Sequence, residues 1–378
     1  MIPYGSQWLN DQDIDAVVEV LRSDFLTQGP QIPIFEKKLA AAVQCRAAVV
    51  TNSATSALHV ACLALEVGPG DLVWTSPLTF VASANCALYC GASVDFVDIE
   101  PSTGNMSVDA LQQKLALAKS QNRLPKVIIP VHFAGAPCDM REISQLARSY
   151  GISVIEDASH ALGARYGETI VGDCSYSEIT VFSFHPVKMI TTGEGGCLCT
   201  NDQKLEQKAR LLVSHGITKS ADEFNKTEAD PWWYEQHSLG FNYRMTDIQA
   251  ALGISQLTKL ADWVERRNQL ITRYQRMTEK LPIEWLTVDE LRLCSYHLAV
   301  IKVSPDHRRP LFDWLRQHNI GCQVHYIPIY QQPYHAQSSQ YWPRCESFYR
   351  QIISLPLFPR MTNAEQDEVV KVLEEYFR

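Results

Sequence analysis

The 378-residue chain has no apolar run of the length a bilayer demands and no cluster of lysine and arginine. A helical membrane span and a nucleic-acid-binding face are therefore not expected. No G-x-G-x-x-G joins a strand to a helix, which removes the fingerprint of a nicotinamide dehydrogenase. Eleven cysteines are present, yet none forms a C-x-x-C pair. That spacing speaks against a zinc ribbon, and the odd total against a closed disulfide framework. Cys62, Cys86, Cys90, Cys197 and Cys199 sit among apolar or small residues and read as reduced core residues. Met1-Ile-Pro-Tyr-Gly-Ser-Gln7 lacks the basic start and apolar centre of a signal peptide, so the expected compartment is the cytoplasm. The formal charge is a modest −8, and an anionic ligand would have to be held by local donors.

The chain does contain a lysine in informative surroundings. Lys188 ends Val181-Phe-Ser-Phe-His-Pro-Val-Lys188 and is followed by Thr191-Thr-Gly-Glu-Gly-Gly196. Upstream, Ser153-Val-Ile-Glu156 is a short β-rich run that leaves Asp157 at a strand's carboxyl end, where open α/β sheets bind ligands. Taken alone, such an aspartate more commonly caps a helix. Together with Lys188, it supplies what a pyridoxal phosphate enzyme needs: a carboxylate for the pyridinium nitrogen and an amine for the Schiff base. A free lysine titrates near ~10.4, so the pocket has to lower that value by desolvation. Most lysines are solvated, but this one is threaded between a buried-strand pattern and a glycine-rich turn.

A phosphate site is legible as well. Thr51-Asn-Ser-Ala-Thr-Ser-Ala-Leu58 follows the apolar Ala47-Ala-Val-Val50 and opens a helical pattern through Leu65. A helix start after small hydroxyl residues offers free N–H groups to an anion, and the dipole favours it there. Ala54 and Thr55 are the expected phosphate contacts, with Ser183 reaching in from the lysine strand. Phe80, just after Ser76-Pro-Leu-Thr79, is placed to lie on the cofactor ring, although an aromatic there is more often core.

Asn52-Ser-Ala-Thr-Ser-Ala57, Glu156-Asp157-Ala158, Ser183 to Lys188 and Gly193-Glu-Gly-Gly196 resemble the fold-type I sugar aminotransferases, which act on nucleotide-linked keto-sugars. The likeness spans nearly the whole chain. His160 stands where that family commonly carries glutamine, and in this the chain is similar to the branch serving pseudaminic acid biosynthesis. The resemblance implies pyridoxal 5'-phosphate as cofactor and L-glutamate as amino donor. It further implies a UDP-linked 4-keto-6-deoxy-N-acetylhexosamine as acceptor, dTDP- and GDP-linked sugars being the alternatives. Lys188 and Asp157 become the catalytic pair, and His160 joins the cofactor-binding set. Tyr4, Asp24, Phe25, Leu26 and Thr27, with Gln323, Val324, His325 and Tyr326, become the sugar-binding set. Asn242, in Gly240-Phe-Asn-Tyr-Arg244, would reach the neighbouring subunit's cofactor phosphate, which implies a homodimer with shared sites. A dehydratase of the same fold would carry histidine in place of Lys188. A regulator that keeps the cofactor without turnover is the alternative from another class.

Length exceeds what one core usually supports, so two domains are expected. Apolar runs at Leu72 to Thr75, Val94 to Ile99, Val127 to Val131, Val154 to Asp157, Thr180 to Phe184 and Gly196 to Thr200 alternate with helical patterns. That alternation predicts an α/β fold with a mostly parallel sheet flanked by helices, over residues 1–257, and a smaller C-terminal α+β domain over 258–378. Ile14, Val17, Val18 and Leu21 predict an amphipathic helix after Asn10. A long helical pattern after Thr246 bridges to the small domain, where Pro310 to His318 reads as helix and Gly321 to Tyr326 as strand. Trp232-Trp-Tyr234 lies in a polar loop that either covers a partner's site or stays at the surface.

Overall fold

The computed structural model describes residues 1–227, 229–335 and 341–378. Seven strands form the main sheet: β1 (Ala47–Thr51), β2 (Leu72–Thr75), β3 (Ser93–Phe96), β4 (Val127–Ile129), β5 (Ser153–Asp157), β6 (Ile179–Ser183) and β7 (Gly196–Thr200). Their order is β1-β7-β6-β5-β4-β2-β3, and only β7 runs against the rest. β1, β4 and β7 are buried throughout, as expected when helices cover both faces of a sheet. Helices Ala54–Ala64, Ala82–Tyr89 and Gln203–Val213 supply the core on one face. Gln31–Val43 and Asp247–Leu257 cover the β1-β7-β6 part of the other.

A second core gathers Leu270, Ile271 and Tyr274 with Ala299, Ile301, Leu311, Leu315, Ile353, Val369 and Leu373. Its strands Ala299–Lys302 and Ile352–Leu355 pair antiparallel. The helical pattern after Thr246 is in fact two helices, Asp247–Leu257 and Leu260–Met277. The second joins the cores, giving Trp263 and Val264 to one and Leu270 and Ile271 to the other. We propose the domain division near Leu257, where the first helix ends. Among the described residues no helix is long and apolar enough to cross a membrane.

Three expectations need correction. Gly321 to Tyr326 is not a regular strand: Gln323 alone bridges to Ser354, and beyond it the chain turns inward. There His325 Nδ1 meets Ser354 Oγ at 2.8 Å and the Tyr326 hydroxyl meets His160 Nε2 at 3.0 Å, so adjacent side chains are tied to different elements. The helix expected at Pro310 starts at Pro305, whose missing N–H costs nothing in a first turn, and ends at Gln317. The helix after Asn10 forms over Asp11–Leu21, with Asn10 and Asp13 making a capping box, but its apolar face is not its buried one. Ile14 and Leu21 are more than half exposed, whereas Asp13 is buried on Lys259, Ser255 and Gln256.

Helix Gln31–Val43 has no side-chain cap of its own. Asp247, fully buried, substitutes by accepting from Gly29 N at 2.7 Å and Gln31 N at 2.8 Å. Asp247→Ala would leave both donors without their partner. Urea unfolding is expected to show a loss of about 1–3 kcal/mol; an unchanged midpoint would mean that water replaces the carboxylate at no cost.

Candidate active site

β5 and β6 are parallel neighbours, with Asp157 opposite Val181, and the Ala158 N–H donates to Val181 O at 2.9 Å. Both strands therefore end at the same edge of the sheet. A cavity of about 470 Å³ opens there, within the roughly 300–1,000 Å³ typical of small-molecule sites. Asp157 and Lys188 line it, together with Tyr4, Ala54, Thr55, Phe80, His160, Ser183, His325 and Tyr326. Asp24, Phe25, Leu26, Thr27, Gln323, Val324 and Asn242 do not line it. Asp24 to Thr27 and Asn242 are exposed, and Asn242 bridges to Ser214.

Asp157 is buried, and its carboxylate accepts from three groups: Ser83 Oγ at 2.6 Å, Ser159 Oγ at 2.6 Å and Ser159 N at 3.1 Å. Behind it, His132 N donates to Asp157 O at 3.1 Å and Asp157 N to Pro130 O at 2.9 Å. His132 is itself fixed. Cys138 N donates to its Nδ1 at 3.1 Å, so the proton sits on Nε2 and is shared with Glu156 at 2.8 Å.

Lys188, half-buried, lines the cavity. Burial pushes its amine down to about 8, against the opposing pull of Asp157. Burial, reinforced by the lysine charge, also holds His160 and His297 well below the ordinary imidazole range and takes His325 down to about 4. All three are neutral at pH 7. His160 does not bond Asp157; its Nε2 meets the Tyr326 hydroxyl, and its ring lies 4.4 Å from that of His297.

At the other end, Ser53 caps helix Ala54–Ala64 by accepting from Ser56 N at 3.1 Å. Ala54 and Thr55, whose first-turn N–H groups precede any intrahelical partner, line the cavity. Gly196 presses against this turn: a Cβ there would stand 2.4 Å from Ala54 N, so no larger residue fits without a backbone shift. The lining suits pyridoxal phosphate: an anion seat at a helix start, a buried carboxylate and a half-buried amine with a lowered pKa, all in one pocket. Sequence reasoning missed Ser83, Ser159, His297 and Glu194. Ser159 could have been found from its place two residues beyond Asp157; Ser83 and His297 arrive from distant segments with no local signal.

The fold defines the class, a pyridoxal phosphate-dependent sugar aminotransferase. The chain belongs to the DegT/DnrJ/EryC1/StrS aminotransferase family, whose model matches residues 7–374. The spore coat polysaccharide biosynthesis protein SpsC of Bacillus subtilis (strain 168) is 36% identical over 386 residues, covering 99% of this chain and 96% of that protein. UDP-4-amino-4,6-dideoxy-N-acetyl-beta-L-altrosamine transaminase of Campylobacter jejuni subsp. jejuni serotype O:2 is 37% identical over 385 residues, covering 99% and 98%. The structure of Helicobacter pylori PseC, an aminotransferase involved in the biosynthesis of pseudoaminic acid, matches with a TM-score of 0.91 and 32% identity, over 100% of this chain and 99% of that one.

The lowered amine gives a pH signature. Covalent capture of pyridoxal phosphate needs the neutral amine, so with cofactor-free protein the capture rate should rise about tenfold per pH unit and level off above about 8. A rise continuing to ~10.4 would show an ordinary, solvated lysine.

Proposed function

We propose that the protein transfers the amino group of L-glutamate to the C4 ketone of a UDP-linked 4-keto-6-deoxy-N-acetylhexosamine, in pseudaminic acid biosynthesis and in the cytoplasm. The observation that carries the chemistry is the half-buried Lys188, its amine pushed to about 8, in one cavity with Asp157 and a helix start. The likeness to the Campylobacter transaminase and to PseC supports the sugar. A second reading is another nucleotide-linked keto-sugar such as a dTDP or GDP sugar, since SpsC, of comparable identity, is named only for spore coat polysaccharide biosynthesis.

Bound pyridoxal phosphate supplies an electron sink for the carbanion at the reacting carbon. Ala54 and Thr55 N–H, with Ser183, seat its phosphate. Asp157 holds the proton on its ring nitrogen, and the three donors on that carboxylate keep it aimed. Phe80 and His160 bound the ring. Lys188 Nζ secures the cofactor between turnovers. With the cofactor bound, the Lys188 amine would serve as the base and acid for the protons at the α-carbon of the donor and at C4 of the sugar, a task suited to an amine poised near the working pH. Tyr4, His325 and Tyr326, on the cavity wall, face the sugar. Because donor and acceptor use one site in turn, ping-pong kinetics result.

We further propose a homodimer in which Asn242 and the Asp24 to Thr27 segment serve the neighbouring subunit's cavity. Their exposure away from their own cavity supports this, as do the uncovered apolar side chains of Ile14, Leu21, Phe25 and Leu26.

With L-glutamate, the UDP-linked 4-keto sugar should exceed its dTDP- and GDP-linked counterparts in kcat/KM by on the order of a hundredfold, and Lys188→Ala should abolish turnover without unfolding the protein. Preference for another nucleotide would favour the second reading. Subunits carrying Asn242→Ala or Lys188→Ala, each impaired alone, should recover part of the activity after mixing, since a hybrid dimer keeps one site with both residues. No recovery despite proven subunit exchange would place Asn242 in its own subunit's site.

A further inference from the structure

The first ten residues form a strap between the two cores. Ile2 N donates to Asn319 O at 2.9 Å, Gly321 N to Ile2 O at 2.6 Å and Leu357 N to Tyr4 O at 2.9 Å, which fixes the strap's start to the C-terminal core. Tyr4 then lines the cavity, 5.4 Å from the His325 ring. Farther on, Trp8 stacks on Trp263 at 6.0 Å and Asn10 caps the helix that carries the buried Asp13.

Gln256, 1% exposed, meets this strap from the last turn of helix Asp247–Leu257. Its Nε2 donates to Trp8 O at 3.0 Å and to Asp13 Oδ2 at 2.8 Å, and its Oε1 accepts from Thr191 N at 3.4 Å, the longest of the three. The amide orientation is forced, because turning it over would set an oxygen against two acceptors. Thr191 lies just past Lys188 and holds the turn: its Oγ1 donates to Phe184 O at 3.1 Å and accepts from Gly193 N at 3.0 Å. One buried amide therefore touches both the segment that brings Tyr4 to the cavity and the turn that follows the lysine.

We propose that Gln256 is a positioning residue that couples the N-terminal strap, and with it Tyr4, to the Lys188 turn. The kinetic part rests on the reading that Tyr4 meets the nucleotide sugar. Gln256→Glu keeps an acceptor for Thr191 but turns a second acceptor toward Trp8 O and Asp13, so it loosens the strap alone. Gln256→Met keeps the bulk and loses both links.

The two half-reactions of the holoenzyme, followed separately by the cofactor's absorbance with L-glutamate or with the UDP-linked 4-keto-6-deoxy-N-acetylhexosamine, read the difference. Gln256→Glu should raise the apparent KM of the sugar half-reaction about tenfold and leave the glutamate half-reaction within about twofold, whereas Gln256→Met should slow both. Equal losses in both half-reactions for both variants, or no loss in either, would reduce Gln256 to packing. Amide exchange without sugar decides the coupling even if that sugar is not turned over or the Glu variant fails to fold. Ile2→Asp, at the strap's far end, should speed exchange at Thr191 in the wild-type background but not in Gln256→Met. Thr191 exchange unmoved by Ile2→Asp would overturn the coupling.

Discussion

The register between β5 and β6 is the constraint on which the site depends. With Asp157 opposite Val181, the carboxylate and the segment leading to Lys188 leave the sheet side by side, and the antiparallel β7 returns the chain so that Gly196 meets the start of helix Ala54–Ala64. A slip of one residue would turn Asp157 to the opposite face. The sheet thereby sets the separation between the Asp157 carboxylate, the Lys188 segment and the start of helix Ala54–Ala64, and backbone hydrogen bonds hold it.

Burial then does the electrostatic work. The cavity takes three imidazoles out of water, where the cheaper response is to stay neutral, and it lowers the half-buried Lys188 amine to about 8, which brings its neutral form within reach near pH 7. Under the proposed function, the neutral fraction of that amine would capture the cofactor and accept a proton. Neutral imidazoles beside it add no charge to the pocket that holds Asp157. The buried Arg267 donates to the carbonyls of Tyr296, His297 and Leu357, which anchors the segment carrying His297 without bringing a carboxylate near the site.

Residues whose task is local were readable from the chain. β7 has the bounds its apolar pattern predicts, and Asp157 and Lys188 share the cavity that their motifs suggest. Ser53 to Thr55 form a helix start because small hydroxyl residues follow an apolar strand. What was not readable depends on partners remote in sequence. Asp13 looked like the polar side of an amphipathic helix, yet Ser255, Gln256 and Lys259 draw it inside. Gly321 to Tyr326 had the composition of a strand, but its side chains answer to Ser354 and His160. His297 and Ser83 carry no motif, and only the folded chain sets them beside His160 and Asp157.

If Lys188 is the amine that holds the cofactor, reduction should fix the cofactor to it. Borohydride reduction of the holoenzyme, followed by peptide mapping, tests this most directly. A phosphopyridoxyl group is expected on Lys188 and on no other lysine, and its formation should be blocked when L-glutamate is added before the reductant. Label on a different lysine, or labelling indifferent to glutamate, would contradict that role.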